Sequence, residues 1–261
     1  ASGFVDDTQA ISGDLRVAGM GLDSADLDGD GLPDICVTDV GPPRCLLSHG
    51  LPYVEGGPEL GLFPTASGRP RPTTIGWSFD FADLDNDGLL DALQASGPDQ
   101  DHDDQGLLDW PDLAWRGLPG GAFEDATESL GFGDPAVHYG LATADFDADG
   151  FLDVLVAGPG QPPRLWMNRC GPGAWIDVAL EGPPGNPAGF GAQVEVEAGG
   201  TIQLRELHAL RAQGQSAARL HFGLGAAETV DSLRVWWPDG SLTEAADLPL
   251  RRRILVRHPG S

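Results

Sequence analysis

The sequence DLDGDGLPD at residues 26–34 returns as DLDNDGLLD at residues 83–91 and as DFDADGFLD at residues 145–153. We call these stretches loop 1, loop 2 and loop 3. Each has Asp at positions 1, 3, 5 and 9 and Gly at position 6. Four carboxylates in so short a segment repel one another unless a cation lies among them. The threefold repeat therefore predicts three sites for a hard cation.

Calcium fits this pattern, because Ca²⁺ takes six to eight oxygen ligands in a flexible cage. Position 7 would add a backbone carbonyl, and the glycine at position 6 allows the sharp turn that returns position 9 to the ion. We expect three Ca²⁺ ions. The predicted ligands are Asp26, Asp28, Asp30, Leu32 and Asp34 in loop 1; Asp83, Asp85, Asp87, Leu89 and Asp91 in loop 2; and Asp145, Asp147, Asp149, Phe151 and Asp153 in loop 3.

The EF-hand is the competing interpretation, and it needs a bidentate Glu at position 12 and flanking helices. Position 12 is Val37, Gln94 or Val156, none of which supplies that ligand. After each loop the chain continues in a short apolar or β-branched run of strand length. The loops are therefore predicted to lead into β-strands.

The loops recur at similar distances, with first residues at 26, 83 and 145. An aromatic-x-acid pattern also recurs, at residues 4–6, 53–55, 123–125 and 175–177. A repeat of this length with about four short strands is typical of a β-propeller blade. We predict an all-β fold with three such blades, which on their own form an incomplete ring.

Residues 1–170, with these loops and strands, resemble the FG-GAP (integrin-like, VCBS-type) repeats, which implies propeller blades that carry Ca²⁺ loops. Residues 171–261 resemble the ASPIC/UnbV domain through Trp175-Ile-Asp-Val, Gly191-Ala-Gln-Val-Glu-Val, His221-Phe-Gly-Leu-Gly and Val235-Trp-Trp-Pro-Asp-Gly. This chain has Asn186-Pro-Ala-Gly where that family has Asn-Arg, so a role of that arginine does not carry over. The two resemblances divide the chain into domains 1–170 and 171–261.

The second domain reads as strand after strand. Residues 193–197 and 201–205 alternate polar and apolar side chains around the turn Gly199-Gly200, which predicts a hairpin. Residues 232–237 and 254–257 extend the pattern. We predict a small antiparallel β-sandwich.

The formal net charge is −25, and 30 of the 40 acidic residues but only 7 of the 15 arginines lie in residues 1–170. This acidity argues against nucleic acid as a partner.

No stretch approaches the roughly 20 apolar residues of a membrane span. Millimolar Ca²⁺ fills weak sites outside the cell but not in the cytosol. We expect an extracellular or periplasmic protein whose signal peptide has been removed.

Cys36 and Cys45 lie nine residues apart in two consecutive predicted strands. Two interpretations stay open: a disulfide formed in an oxidising compartment, or two buried reduced thiols. Cys170 is then the odd cysteine, either free or bonded to another chain.

Three further features have two interpretations each. The acidic insert at residues 98–112 is either a projecting binding loop or a solvated loop, and we favour the latter. Arg251, Arg252 and Arg253 are either a docking patch for the acidic blades or a solvated strand flank, again with the latter favoured. The scattered histidines are predicted to be packed residues, because no Ser-His-Asp order or nucleophile elbow accompanies them.

No catalytic constellation is present, so we expect a protein that is not an enzyme but a secreted calcium-binding module for interaction, adhesion or structural assembly. The alternative is a glycan-binding lectin or an enzyme that uses the propeller face. Three blades do not close a ring, and an open sheet edge is a template for another chain. We therefore expect a protein partner or self-association, with the strand at residues 4–6 of one copy completing a sheet of the next.

Overall fold

The structure, a computed structural model, is all-β, and it describes residues 6, 8, 15–63, 65–66, 69–70, 75–98, 111–133, 137–169, 171–209 and 214–260. Residues 4–5 of the predicted N-terminal strand, residues 99–110 of the acidic insert and Cys170 lie outside this part. Among the described residues no helix has the length and apolar character needed to cross a membrane. A short helix, α1, spans Gly57–Leu60.

Three sheets carry the three acidic loops, and we call them blades 1, 2 and 3. Blade 1 has the order β1 (Leu22–Ala25), β2 (Asp34–Asp39), β3 (Gly41–Leu47), β4 (Val54–Glu55). Blade 2 consists of β7 (Gly76–Ala82), β8 (Asp91–Ser96), β9 (Leu113–Leu118) and β10 (Ala122–Asp125), and blade 3 of β11 (Gly140–Ala144), β12 (Asp153–Ala157) and β13 (Arg164–Trp166). A two-stranded hairpin, β5 (Thr65–Ala66) and β6 (Arg69–Pro70), lies between blades 1 and 2 in the chain.

Each acidic loop connects the first strand of its blade to the second, so the prediction that the loops lead into strands is confirmed. The position-12 residues Val37, Gln94 and Val156 lie inside β2, β8 and β12. These three residues are therefore part of a sheet and do not lie beside the loop, which excludes an EF-hand.

The C-terminal third forms two more sheets. One has the order β17 (Leu220–Gly225), β14 (Ala174–Glu181), β20 (Arg252–Arg257), and the other β16 (Thr201–Glu206), β15 (Gln193–Ala198), β18 (Val230–Trp236), β19 (Leu242–Leu248). The predicted hairpin is present, with Ala198 paired to Thr201. The expectation of a wholly antiparallel sandwich is wrong, because β14 and β20 run parallel. Between β14 and β20 the chain passes through strands of the other sheet, and β20 then runs beside β14 in the same direction.

The five larger sheets form a β-propeller-like ring. Three blades are too few to close such a ring, and the two C-terminal sheets complete it. The first strand of blade 1 packs against both β7 and β16. Neighbouring blades are joined by buried acids three residues before each of the first two loops. Asp23 accepts a hydrogen bond from the Phe81 amide (2.9 Å), and Asp80 accepts one from Thr143 Oγ1 (2.8 Å).

The aromatic-x-acid strand at residues 175–177 does not complete blade 3 and lies where the ASPIC/UnbV resemblance places it, in the C-terminal part of the chain. It belongs to β14, where Ala174, Ile176 and Val178 are buried in the C-terminal core beside Phe222. Blade 3 is consequently three-stranded in the described residues, whereas blades 1 and 2 have four strands each.

Cys36 of β2 and Cys45 of β3 are opposite each other in the strand register and are joined by a disulfide. Both are fully buried in a core with Phe79, Phe81 and Trp115 at the junction of blades 1 and 2. Of the two interpretations left open by the sequence, the structure favours the disulfide.

We expect mass spectrometry of the non-reduced, digested protein to find the peptides containing Cys36 and Cys45 linked, because their positions in the sheet place them face to face. A sample reduced before digestion is the control and should release both peptides. Alkylatable thiols at both positions in the native protein would contradict the pairing.

Candidate metal centres

The three acidic loops share one backbone conformation, which is why the same residue types recur in them. The glycine at position 6 has φ of 84° at Gly31, 98° at Gly88 and 94° at Gly150. These angles lie in the left-handed region, where a side chain is strained. Position 4 is left-handed as well, with φ of 59° at Asn86 and 62° at Ala148. Two left-handed residues curl each loop around a common centre.

The carboxylates of positions 1, 3 and 9 meet at that centre. In each loop one oxygen from each of the three side chains lies within 4.8 Å of the other two. The triplets are Asp26, Asp28 and Asp34; Asp83, Asp85 and Asp91; and Asp145, Asp147 and Asp153. The sequence predicted these residues as ligands, and the fold brings them together.

Position 9 also ties each loop to its own blade. One oxygen of Asp34 accepts a hydrogen bond from the Leu27 amide (2.9 Å) and the other accepts one from the Ser48 amide (2.7 Å). Asp91 and Asp153 make the equivalent pairs of bonds in blades 2 and 3. Each carboxylate oxygen has a second lone pair, so these bonds leave room for a cation.

The position-5 carboxylates also accept hydrogen bonds within their own loops. Asp30, Asp87 and Asp149 each accept a hydrogen bond from the amide of position 7, over 2.8–3.0 Å. Asp30 also groups with Asp28 and His49, whose ligand atoms lie within 4.8 Å of one another, and the three position-5 carboxylates stay predicted ligands. The carbonyl groups of Leu32, Leu89 and Phe151 stay predicted ligands.

Loop 2 is the most deeply buried of the three. Asp83 has no exposed surface, and its Oδ1 has no hydrogen-bond partner among the described residues. Burial, with a smaller contribution from neighbouring loop carboxylates, raises the pKa of Asp83 and of Asp91 to about 7, and the charge of Arg205 partly opposes the rise at Asp83. Burial also raises the pKa of Asp26, Asp34, Asp87 and Asp153. An unpaired buried carboxylate is costly, and a cation at this centre would remove the cost.

A cationic or imidazole side chain lies beside each loop. His49 Nδ1 is 3.4 Å from Asp30 and 3.5 Å from Asp28. Arg116 is 3.4 Å from Asp85, and Arg169 is 2.6 Å from Asp147 and 3.2 Å from Asp149. The hydrogen bond from Arg169 lowers the pKa of Asp147. No sequence motif marks these three residues: Arg116 lies in β9, His49 follows β3 and Arg169 follows β13.

The C-terminal domain packs directly on loop 2. Asn86, at position 4, is fully buried and accepts a hydrogen bond from His221 Nε2 over 2.6 Å. Its side-chain amide donates to the Gly150 carbonyl of loop 3 (2.9 Å), and its own carbonyl accepts from the Gly225 amide (2.8 Å). Burial lowers the pKa of His221 to about 3, so this imidazole is neutral at physiological pH. His221 and the fully buried His138, paired with Asp112 at 2.6 Å, are packed residues, as predicted.

Loop 3 also contacts the C-terminal domain. Arg253 lies 3.1 Å from Asp145 and 3.1 Å from Asp177, so it links loop 3 to β14. The favoured interpretation of residues 251–253 as a solvated flank is wrong for Arg253, because the parallel pairing of β20 with β14 places it at the domain junction. Arg251 donates to the Pro172 carbonyl (2.9 Å).

A cavity of about 330 Å³ lies between the first strands of the three blades and the C-terminal domain. Its lining includes Phe81 from β7, Arg205 from β16, and Asp177 with its partners Arg219 and Arg253. Asp177 is 6% exposed, and its Oδ1 has no hydrogen-bond partner among the described residues. Polar and apolar groups thus line the same partly open cavity.

Comparisons with known proteins agree with part of this organisation. The family model described as ASPIC and UnbV matches residues 182–261, which contain β15 to β20, so the resemblance is confirmed for that segment. No curated protein matches the chain. A solved structure, the V. cholerae biofilm matrix protein Bap1, is similar over 87% of this chain, with 14% identity and a TM-score of 0.21. The chain spans 48% of that structure's length, and so low a TM-score carries no argument about fold or function.

Proposed function

We propose that the protein is a calcium-binding interaction and structural module that works outside the cytosol. The observation that carries the proposal is the convergence of three carboxylates in each of three loops with one conformation. The donor set is all oxygen, which suits Ca²⁺ and gives no preference to softer metals. Blades 1 to 3 then correspond to FG-GAP (VCBS-type) repeats. Asp83 Oδ1, buried without a partner, is the clearest sign that loop 2 is built for a cation.

Two observations support a location outside the cytosol. The Cys36–Cys45 disulfide persists in oxidising compartments and is rare in the cytosol. Loops with only a few carboxylate ligands need the millimolar Ca²⁺ of the extracellular medium. We propose secretion or a periplasmic location on these grounds.

The interaction surface that we propose is the outer edge of blade 3. Strand β13 pairs with β12 and has no second partner among the described residues. Leu165 and Met167 are exposed at this edge. Unpaired strand edges accept strands from other chains. The segment Phe4-Val-Asp6 has the aromatic-x-acid pattern of β4 and β10, the outermost strands of blades 1 and 2.

The arrangement supports self-association by strand exchange, in which residues 4–6 of one copy pair with β13 of the next. Such a head-to-tail contact produces rings when the rotation closes and filaments when it does not. An extracellular structural or adhesive role follows from this assembly.

Binding of a glycan or another small molecule is the second candidate function, and the central cavity favours it. Its volume lies within the usual range for small-molecule sites, and Asp177 offers a buried carboxylate oxygen with no partner in the described residues. A glycan array discriminates between this role and the structural one.

Calcium removal should lower the melting temperature, because the clustered carboxylates are then left without a counter-charge. Asp85→Ala should destabilise the chain by about 3–5 kcal/mol at saturating calcium. Glu124→Ala, an exposed acid of the same blade that lies outside the loops, is the matched control and should change little. Elemental analysis should count three calcium ions per chain. No bound metal, together with a melting curve that chelator leaves unchanged, would refute the proposal.

The metal-free chain should lose stability as pH rises from about 4 to about 7. Asp83 and Asp91 have folded-state pKa values of about 7 against an ordinary value of 3.8, so the folded state binds more protons than the unfolded state in that window. Urea unfolding of chelated protein at about pH 5 and at about pH 7.5 measures the difference.

Saturating calcium is the first control for that experiment, because the cation keeps both carboxylates ionised without penalty. Asp83→Asn is the second, because an amide does not titrate and should flatten the pH dependence. A chelated wild-type chain that is equally stable at both pH values would contradict the expectation.

Light scattering at micromolar concentration should detect oligomers of the purified chain. Deleting residues 1–10 should abolish them while the calcium content stays at three, because the deletion removes the donated strand and no loop ligand. A strict monomer rejects self-association, and an oligomer that survives the deletion shows that a different surface holds the copies together.

A further inference from the structure

The three loops differ in what covers them. In loop 1, a Cβ added at position 4 (Gly29) or position 6 (Gly31) would meet no atom within 4 Å. A cleft of about 200 Å³ separates this loop from β16. Loops 2 and 3 are covered by strands β14 and β17 of the C-terminal domain. Loop 1 is therefore an internal reference for the other two.

On loop 2 the cover is in van der Waals contact with a predicted metal ligand. A Cβ at Gly223 of β17 would overlap Asp83 Oδ2 and the backbone of Asn86. The hydrogen bonds of Asn86 to His221 and Gly225 continue the contact on both sides. The fit of strand β17 thus depends on the conformation of loop 2. The strand contacts the backbone and the side-chain amide of Asn86, which directly follows the predicted ligand Asp85.

On loop 3 the indole of Trp175 in β14 fills the space beside Gly150, where a Cβ would overlap its ring. Trp175 also stacks on His221, with ring centroids 6.1 Å apart. Arg253 joins the position-1 carboxylate Asp145 to Asp177 of β14. Loops 2 and 3 are themselves linked, because Asn86 donates to the Gly150 carbonyl. The two loops and the two strands form one continuous interface.

We propose that loops 2 and 3 are a cation-dependent latch: cation binding there fixes the loop backbones that hold the C-terminal domain on the blades. The inference rests on the proposed calcium binding and adds a role for residues that donate no metal ligand. Without a cation, Asp83, Asp85 and Asp91 repel one another next to the buried contact with Gly223. With a cation, the loop keeps the conformation that β14 and β17 fit. Docking and metal affinity must then strengthen each other by the same factor.

The first test measures docking of the C-terminal sheets on loop 2 through the hydrogen exchange of one backbone amide. The Gly225 amide bonds to the Asn86 carbonyl across the interface, so its hydrogen exchange reports on local separation of the two surfaces. In the calcium-loaded full chain it should exchange slowly. Chelation, or Asp85→Asn in loop 2, should raise the exchange rate by about tenfold or more, as expected for a coupling of 1–3 kcal/mol.

Asp28→Asn, at the same position of the uncovered loop 1, is the matched control. It removes the same kind of ligand and should leave the exchange of the Gly225 amide at the wild-type rate. Equal exchange in the loaded chain, the chelated chain and Asp85→Asn would overturn the latch. Equal acceleration in Asp28→Asn and Asp85→Asn would overturn it too, because the effect would then be general destabilisation.

The reciprocal test alters the C-terminal domain and measures calcium. Gly223→Ala should weaken one of the three sites by about 5- to 150-fold in a calorimetric titration, although residue 223 offers no ligand. Gly185→Ala is the control, because a Cβ there meets open space and its φ is ordinary. His221→Phe keeps an aromatic ring and removes the bond to Asn86, so it decides the question if Gly223→Ala does not fold.

The outcomes separate the latch from the function that it rests on. A wild-type chain that binds no calcium refutes the calcium proposal itself. A chain that binds three ions with unchanged affinity in folded Gly223→Ala or His221→Phe keeps the calcium function and overturns the latch. Selective loss at one site in these variants, with Gly185→Ala unchanged, supports it.

Discussion

The burial of carboxylates next to one another is the constraint on which the rest of the structure depends. Asp83 and Asp91 are almost completely removed from water and share one small volume with Asp85. Charges of one sign in such a place are opposed both by lost hydration and by mutual repulsion. The fold reduces the cost by aiming backbone amides at the carboxylates, and the proposed cation would offset the remainder.

Acidic residues also hold the ring together, in two directions. Within blade 1, the position-9 carboxylate of Asp34 accepts one hydrogen bond from the Leu27 amide of its own loop and one from the Ser48 amide after β3. Between blades, Asp23 and Asp80 accept hydrogen bonds from the equivalent strand of the next blade. At blade 3 the equivalent position is Ala142, and the C-terminal domain takes over: Ser216 Oγ donates to Asp80 (3.0 Å) and accepts from the Thr143 amide (3.1 Å). The ring therefore continues from blades into the C-terminal sheets through the same acceptor.

Local patterns predicted the parts of this structure that depend on short segments. The loops, the strands that follow them, the hairpin around Gly199-Gly200 and the Cys36–Cys45 pairing all involve residues close in sequence. The strand at residues 175–177 has the same aromatic-x-acid pattern as β4 and β10, so this pattern alone does not assign it to a sheet. Its place is decided by pairing with β17 and β20, some 45 to 75 residues further on. Contacts such as Asn86 with His221 join residues 135 positions apart, and one sequence holds no signal for them.

One motif predicts three equivalent loops, but in the folded chain the loops differ in their charged neighbours and in what covers them. Loop 3 has Arg169 on two of its carboxylates and Arg253 on a third, so cationic side chains already balance part of its charge. Loop 1 is open to solvent on one side, where water screens its carboxylates, and its neighbour is an imidazole that is able to ligate a metal. Loop 2 has Arg116 at 3.4 Å from Asp85, the charge of Arg205 near Asp83, and β17 packed over Asp83 and Asn86. The loop with a buried carboxylate oxygen that has no hydrogen-bond partner among the described residues is thus the one that the C-terminal sheets cover most closely. If the proposed calcium binding holds, the cation in loop 2 would therefore lie where blade 2 meets the C-terminal sheets.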